Sequence, residues 1–195
     1  MIFIYEKFID PLLSKIREKI SEIVSNSSTV IDIGFGTGAL VFELANKCKK
    51  VIGIEISEKL VKHALQQKEK RRINNVEFFL SNESFHQKLP VKKFDYGIAC
   101  MVFHTISEDE RISLLKKIKS LALKIILVDY EAPLPKNSTG ITIRMIEFIA
   151  GKEHFFNFKS FIKSGGLYPL IDEMGLKIEE KYSFMNGAIA LLKIG

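Results

Sequence analysis

The stretch Thr29-Val-Ile-Asp32-Ile-Gly34-Phe-Gly36-Thr-Gly38 decides the reading of this chain. Its first five residues are an apolar run interrupted only by Asp32, and they read as a short buried strand. Glycines come at once at alternate positions, and glycine lets a backbone take positive φ and come close to a ligand. A helix is predicted from about Ala39 to Lys47. Strand, glycine loop and helix in this order put the loop at the C-terminal edge of a doubly wound sheet, where ligands of such folds bind.

Outward from the loop the alternation continues. Val51-Ile-Gly-Ile-Glu55, Val76-Glu-Phe-Phe-Leu80, Phe94 to Met101 and Lys124-Ile-Ile-Leu-Val128 hold further strands. Ser57 caps a helix running to about Arg71, and Ser107 with Glu110 is a capping box before a helix that carries Ile112, Leu115, Ile118 and Leu121. Near-continuous apolar strands belong to sheets covered by helices on both faces, hence to a parallel sheet in a three-layer α/β fold. Upstream, Ile9, Leu12, Leu13, Ile16, Ile20, Ile23 and Val24 recur at helical spacing. Downstream, helices are predicted over Thr139 to about Ala150, 157–164 and 169–174. Strands over 176–183 and 188–194 meet at Met185-Asn-Gly187, and Asn-Gly is a strong hairpin signal.

With 195 residues, 47% hydrophobic and 27% charged, the composition excludes a disordered chain. No apolar run approaches the roughly 18 residues of a membrane span, and the first residues lack a signal peptide's basic flank and cleavage site. Cys48 and Cys100 are too few for a disulfide scaffold or a zinc site, so a reduced, cytoplasmic setting and no metal are expected. The net charge of +6 comes with 24 Lys against 5 Arg. Arg is the better fork for phosphates, so this bias speaks against nucleic acid. The Lys clusters near 47–50, 68–72 and 116–119 also suit the ends of the predicted helices, where cations complement the helix dipole.

Glu55 ends the second strand, about 20 residues past the loop, where a carboxylate accepts hydrogen bonds from both ribose hydroxyls. The alternative for Glu55 is a solvated strand end. Gly34, Gly36 and Ala39 also satisfy a relaxed dinucleotide fingerprint, so the glycines alone leave the cofactor open. Asp32 separates the candidates. A carboxylate facing this crevice repels a pyrophosphate and attracts a cation. Two unit charges about 4 Å apart interact by roughly 4 kcal/mol at an effective dielectric near 20. S-adenosylmethionine carries an ammonium and a sulfonium and no phosphate. A helix cap or turn is the structural alternative for Asp32.

On these residues the chain resembles the class I S-adenosylmethionine-dependent methyltransferases, and within them the group similar to ubiquinone/menaquinone-biosynthesis methyltransferases. Residues 30–38 resemble the first motif, 51–57 the ribose-binding strand and 76–82 the third strand. Residues 94–95 and 101–105 resemble the fourth strand and the segment after it. The resemblance implies a Rossmann-like three-layer sandwich with a seven-stranded, mostly parallel sheet in the order 3-2-1-4-5-7-6 and one antiparallel C-terminal strand. It implies one domain over 1–195, divided into an N-terminal helical lid (1–28), a cofactor-binding core (29–130), a helical substrate cover (131–175) and a C-terminal hairpin (176–195). It also implies a cofactor site of Asp32, Gly34, Phe35, Gly36, Gly38, Glu55, Ile56, Asn82, Glu83 and Cys100. Asn82 stands where relatives usually carry Asp, and Glu83 is the neighbouring substitute for the adenine contact.

Methyl transfer needs alignment and exclusion of water more than a base. His104, after the fourth strand, is the candidate base; a turn or pocket wall is its alternative role. Tyr5, Phe103, Arg144, Phe148 and Tyr168 are the candidate substrate pocket. Arg144 and Glu147, one helical turn apart, are read as a surface pair. His154 is read as a structural residue. The Phe-rich segment 144–168 is expected to cover a small apolar or aromatic acceptor, with no nucleic acid partner and a peripheral membrane contact left open. The Ala99-Cys-Met-Val-Phe103 segment lacks the Asn/Asp-Pro-Pro-Tyr type loop that aligns a planar nitrogen, which counts against methylation of base amino groups. A cofactor-binding sensor without acceptor chemistry, and a protein or RNA methyltransferase, are the competing readings.

Overall fold

The computed structural model describes residues 13–81, 89 and 93–195. Its strands form one seven-stranded sheet in the order β3-β2-β1-β4-β5-β7-β6, as the resemblance implies. The chain divides into two compact units, Met1–Ile98 with Leu121–Leu123, and Ala99–Ser120 with Lys124–Gly195.

The first unit holds β1 (Thr29–Ile33), β2 (Lys50–Glu55), β3 (Val76–Leu80) and most of β4 (Phe94–Cys100). β1 pairs in parallel with β2 and with β4, and β2 in parallel with β3. β1 and β2 are buried almost throughout, because helices α1 (Ser14–Ile23), α2 (Ala39–Ala45) and α3 (Glu58–Arg71) supply apolar cover. Ser57 caps α3 by accepting from the Leu60 amide at 3.4 Å, and Lys68, Lys70 and Arg71 lie in its last turn. Within β2, Gly53 has no room for a side chain: an added Cβ would stand 2.7 Å from the Phe35 ring and 2.8 Å from the Phe78 ring.

The second unit is built on β5 (Ala122–Tyr130), β6 (Ile178–Phe184) and β7 (Ile189–Ile194). β7 runs antiparallel to both β5 and β6. The β6–β7 turn takes positive φ at Met185, Asn186 and Gly187, which Asn-Gly tolerates. Helix α4 (Glu108–Leu121) starts at the predicted capping box, where Glu110 accepts from the Ser107 amide at 2.8 Å. Then come α5 (Ser138–Ile149), α6 (Lys152–Lys163) and α7 (Tyr168–Glu173). α6 starts five residues earlier than predicted. Lys152, Glu153 and His154 carry no apolar periodicity, while Gly151, at φ 127°, provides the break that starts the helix. α6 packs on a single 3-10 turn, Phe103–Thr105, that comes after β4. Arg111 fastens the two: its buried guanidinium donates from Nε to the Phe103 carbonyl at 2.9 Å and from Nη2 to the Asn157 carbonyl at 2.7 Å.

Candidate functional site

The glycine loop leaves β1 through Gly34 (φ 78°), Gly36 (φ 60°) and Gly38 (φ 85°), a path that side-chain-bearing residues rarely take. The Gly34 amide donates to the Ile54 carbonyl at 2.7 Å, which ties the loop to β2. A Cβ added at Gly36 would meet nothing within 4 Å, so that part of the loop faces open space. Phe35 turns away into the core, with its ring centroid 4.8 Å from that of Phe78.

Two carboxylates flank the loop, both buried. Glu55 accepts from the Gly36 amide at 3.1 Å through Oε2, and from the Ile56 and Ser57 amides at 2.8 and 3.1 Å through Oε1. Asp32 is 2% exposed, and its Oδ1 has no hydrogen-bond partner among the described residues. Burial, and then the nearby Glu55 charge, push the Asp32 carboxyl up to about 7. A buried carboxylate oxygen left without a donor costs free energy until a cation or donor meets it. Ile56, next to Glu55, is 78% exposed. Of the other cofactor candidates, Cys100 is half-buried at the end of β4, while Asn82 and Glu83 lie outside the described residues.

His104 sits in a different setting. Its ring is buried and its Nδ1 lies 2.7 Å from Asp129 Oδ1, while its own amide donates to Asp129 Oδ2 at 3.2 Å. Its Nε2 is 3.8 Å from Glu147 Oε1. The Glu147 carboxylate accepts from the Tyr130 hydroxyl at 2.7 Å and contacts His154 Nε2 at 2.5 Å. Burial alone would lower the His104 pKa, but the Asp129 and Glu147 charges outweigh it and hold it above its ordinary value. Burial likewise opposes ionisation of Glu147, yet its bonds from His154 and Tyr130 and the neighbouring His104 hold its pKa below the usual range.

Of the remaining candidates, Arg144 and Phe148 line one shallow groove with Met145 and Phe155, which Phe103 and Tyr168 do not join. Phe103 is fully buried and packs as core. The Arg144–Glu147 surface pair is corrected: Arg144 is exposed, whereas Glu147 points inward to Tyr130 and His154. Tyr168 donates to Glu131 at 2.8 Å. Tyr5 lies outside the described residues. The Phe-rich segment also splits. Phe158 and Phe161 are core, but Phe148 is 67% and Phe156 71% exposed. A groove of about 710 Å³ beside them is lined by Arg144, Lys159, Lys163, Glu108 and Phe156 among others. Glu147, Asp129, Tyr130 and His154 escape the sequence reading as a group. No local spacing joins residues that come from a strand and two helices.

The family description "Methyltransferase domain" matches residues 30–124, from the first strand into the fifth. Those residues belong to the methyltransferase-domain family. With the sheet order above, the chain has the fold of the class I S-adenosylmethionine-dependent methyltransferases. The chain is 36% identical over 102 residues to the release factor glutamine methyltransferase of Fusobacterium nucleatum, covering 51% of this chain and 28% of that protein. To the enzyme of the same name from Buchnera aphidicola it is 28% identical over 175 residues, covering 89% and 57%. A 23S rRNA (uracil(1939)-C(5))-methyltransferase RlmD from Francisella tularensis subsp. novicida is 32% identical over 76 residues, 38% of this chain and 17% of that protein. This chain thus spans less than two thirds of each of these relatives. Over its whole length it superposes on a crystal structure of a SAM dependent methyltransferase from Aquifex aeolicus, covering 97% of that chain at TM-score 0.69 and 17% identity, a likeness of fold.

These relatives overturn the expected partners. A small-molecule acceptor with no nucleic acid does not fit proteins named for a release factor glutamine and an rRNA uracil. Segment 144–168 agrees with this: Phe148 and Phe156 face outward, and Arg144, Lys159 and Lys163 line the groove beside Phe156. Among the described residues, no helix is long and apolar enough to cross a membrane.

Proposed function

We propose that this chain transfers the methyl group of S-adenosylmethionine to a nucleophile presented by a macromolecule with an anionic surface. The observation that carries the cofactor part is Asp32: a buried carboxylate whose Oδ1 has no donor among the described residues, beside a loop whose middle glycine faces open space. Asp32 accepts from the ammonium of the methionine moiety and becomes ionised as it does so. Glu55 accepts from the ribose hydroxyls, exchanging its bond from the Gly36 amide for them. The exposed side chain of Ile56 would cover the adenine face, and the open space at Gly36 would let the ligand come close to the loop backbone. The cofactor supplies an electrophilic methyl group on sulfur. The residues around it hold that group in line with the acceptor and keep water out, which accounts for up to about 7–11 kcal/mol of barrier lowering in well-oriented cases.

The acceptor part is supported by the basic lining of the α5–α6 groove, by the net charge of +6, and by the macromolecular acceptors named for the relatives. Calorimetry with S-adenosylhomocysteine tests the first part, and no heat would overturn it. Incorporation of labelled methyl into cell extract, with separate nuclease and protease digestion afterwards, tests the second. Label that survives both digestions in small molecules overturns the macromolecular reading.

A further inference from the structure

We propose that His104, Glu147 and His154 form a binding site for one divalent transition-metal ion of the zinc class, with Asp129 as its orienting carboxylate. The three residues each offer a ligand atom, and those atoms lie within 4.8 Å of one another. Ligand atoms in a tetrahedral zinc site stand about 3.4 Å apart, given bonds of about 2.1 Å. The observed His104 Nε2–Glu147 Oε1 and His154 Nε2–Glu147 Oε2 separations, 3.8 and 2.5 Å, bracket that spacing.

The orientation of the rings makes the case. An ionised carboxylate only accepts, so Asp129 at 2.7 Å keeps a proton on His104 Nδ1 and turns Nε2 toward Glu147. His154 aims its Nε2 at the same carboxylate. Two imidazole nitrogens directed at one buried carboxylate need something positive between them. A metal ion fills that need for all three groups, and protons fill it otherwise. The surroundings match a built metal site as well. Asp129 on the far nitrogen of His104 is the carboxylate–histidine–metal arrangement that fixes tautomer and ring angle, and the Tyr130 hydroxyl donates to Glu147 Oε1, the oxygen nearest His104 Nε2, and so holds that carboxylate in place. Two neutral imidazoles and one carboxylate are a donor set for zinc or its neighbours rather than for magnesium or calcium. The His154 side chain is 30% exposed while His104 and Glu147 are buried, so the ion enters from the His154 side, where a water completes four-coordination.

Such an ion clamps α5 and α6 to the turn after β4. Metal binding stands apart from the cofactor part of the proposed function, because every ligand belongs to the second unit and the glycine loop to the first. The test uses the full chain, stripped with a chelator and then titrated with zinc chloride in a calorimeter and with cobalt(II) in a spectrometer. One equivalent is expected to bind, and cobalt is expected to show the visible absorption of a four-coordinate nitrogen–oxygen site. His154→Ala and Glu147→Gln are expected to abolish the stoichiometric binding, Asp129→Asn to weaken it about 10–100-fold, and His63→Ala to leave it unchanged. The proposal is overturned by absence of binding up to about 100 µM zinc, by affinity that survives His154→Ala, or by a six-coordinate cobalt spectrum. The cobalt spectrum of the unaltered protein decides the matter if the variants fail to fold.

Discussion

Asp32 and Glu147 are both buried carboxylates, and their surroundings drive them in opposite directions. Asp32 has an oxygen with no partner among the described residues and is pushed up to about 7. Glu147 is met by Tyr130 and His154, with His104 close by, and is held below its ordinary range. Burial is common to the two, so the donors make the difference. A carboxylate oxygen left without donors stays costly until a ligand supplies one, whereas a carboxylate met by donors is held in position by its own neighbours.

The sharpest way to break the contrast is to remove each carboxylate. Glu147→Ala strands the Tyr130 hydroxyl and the His154 ring, and breaking a buried ionic contact of this kind costs about 3–5 kcal/mol; chemical denaturation should show a loss of that order. Asp32→Asn should act the other way. Between the ordinary 3.8 and the folded value of about 7, the folded state holds the proton more tightly, so this residue's contribution to stability falls as pH rises through that window and stays low above it. The gap amounts to roughly 4 kcal/mol as an upper bound. Hence Asp32→Asn minus the unaltered protein should be near zero at pH 4 and most stabilising at pH 8. A flat difference would show that the carboxylate is solvated after all.

Cofactor binding sharpens the comparison further. A cation that requires ionised Asp32 must displace its proton, so affinity should fall by up to about tenfold per pH unit below pH 7, and calorimetry in buffers of different ionisation heat should register proton release. Asp32→Asn should bind weakly and without this pH dependence. A smaller effect is expected at Gly36. Alanine there meets no steric neighbour but must take φ near 60°, at about 1–2 kcal/mol. The lost open space should reduce S-adenosylhomocysteine affinity by more than stability falls. Least of all, Ser107→Ala should remove about 0.5 kcal/mol, because it deletes only the exposed hydroxyl's bond to Glu110 and leaves the Ser107 amide bonded to that carboxylate.

The same contrast explains what sequence reasoning reaches. Every part of the glycine cradle lies within two adjacent strands and the loop between them. Residues 32–38 and 55 emerge from strand period, glycine spacing and one charge. The sheet order comes with the resemblance, and the strands themselves from apolar runs that only a doubly covered sheet explains. The metal-ligand cluster draws on residues 104, 129, 147 and 154, brought together by a turn, a strand and two helices, and no periodicity links them. His104 is visible in the sequence as a residue of interest, but its partners are not, and the two cysteines point away from any metal. The Phe-rich segment misleads for a related reason: spacing shows that phenylalanines share a helix, but not that Phe148 and Phe156 face outward while Phe158 and Phe161 face in.

Gly53 carries a consequence beyond its own strand. It is wedged between Phe35, which stands between two loop glycines, and Phe78 on the next strand. Any methyl group gained at position 53 must push one ring aside, and the ring with hinges on either side yields first. Drift at a silent-looking spot in β2 therefore re-aims the glycine loop without altering any of the loop's own residues.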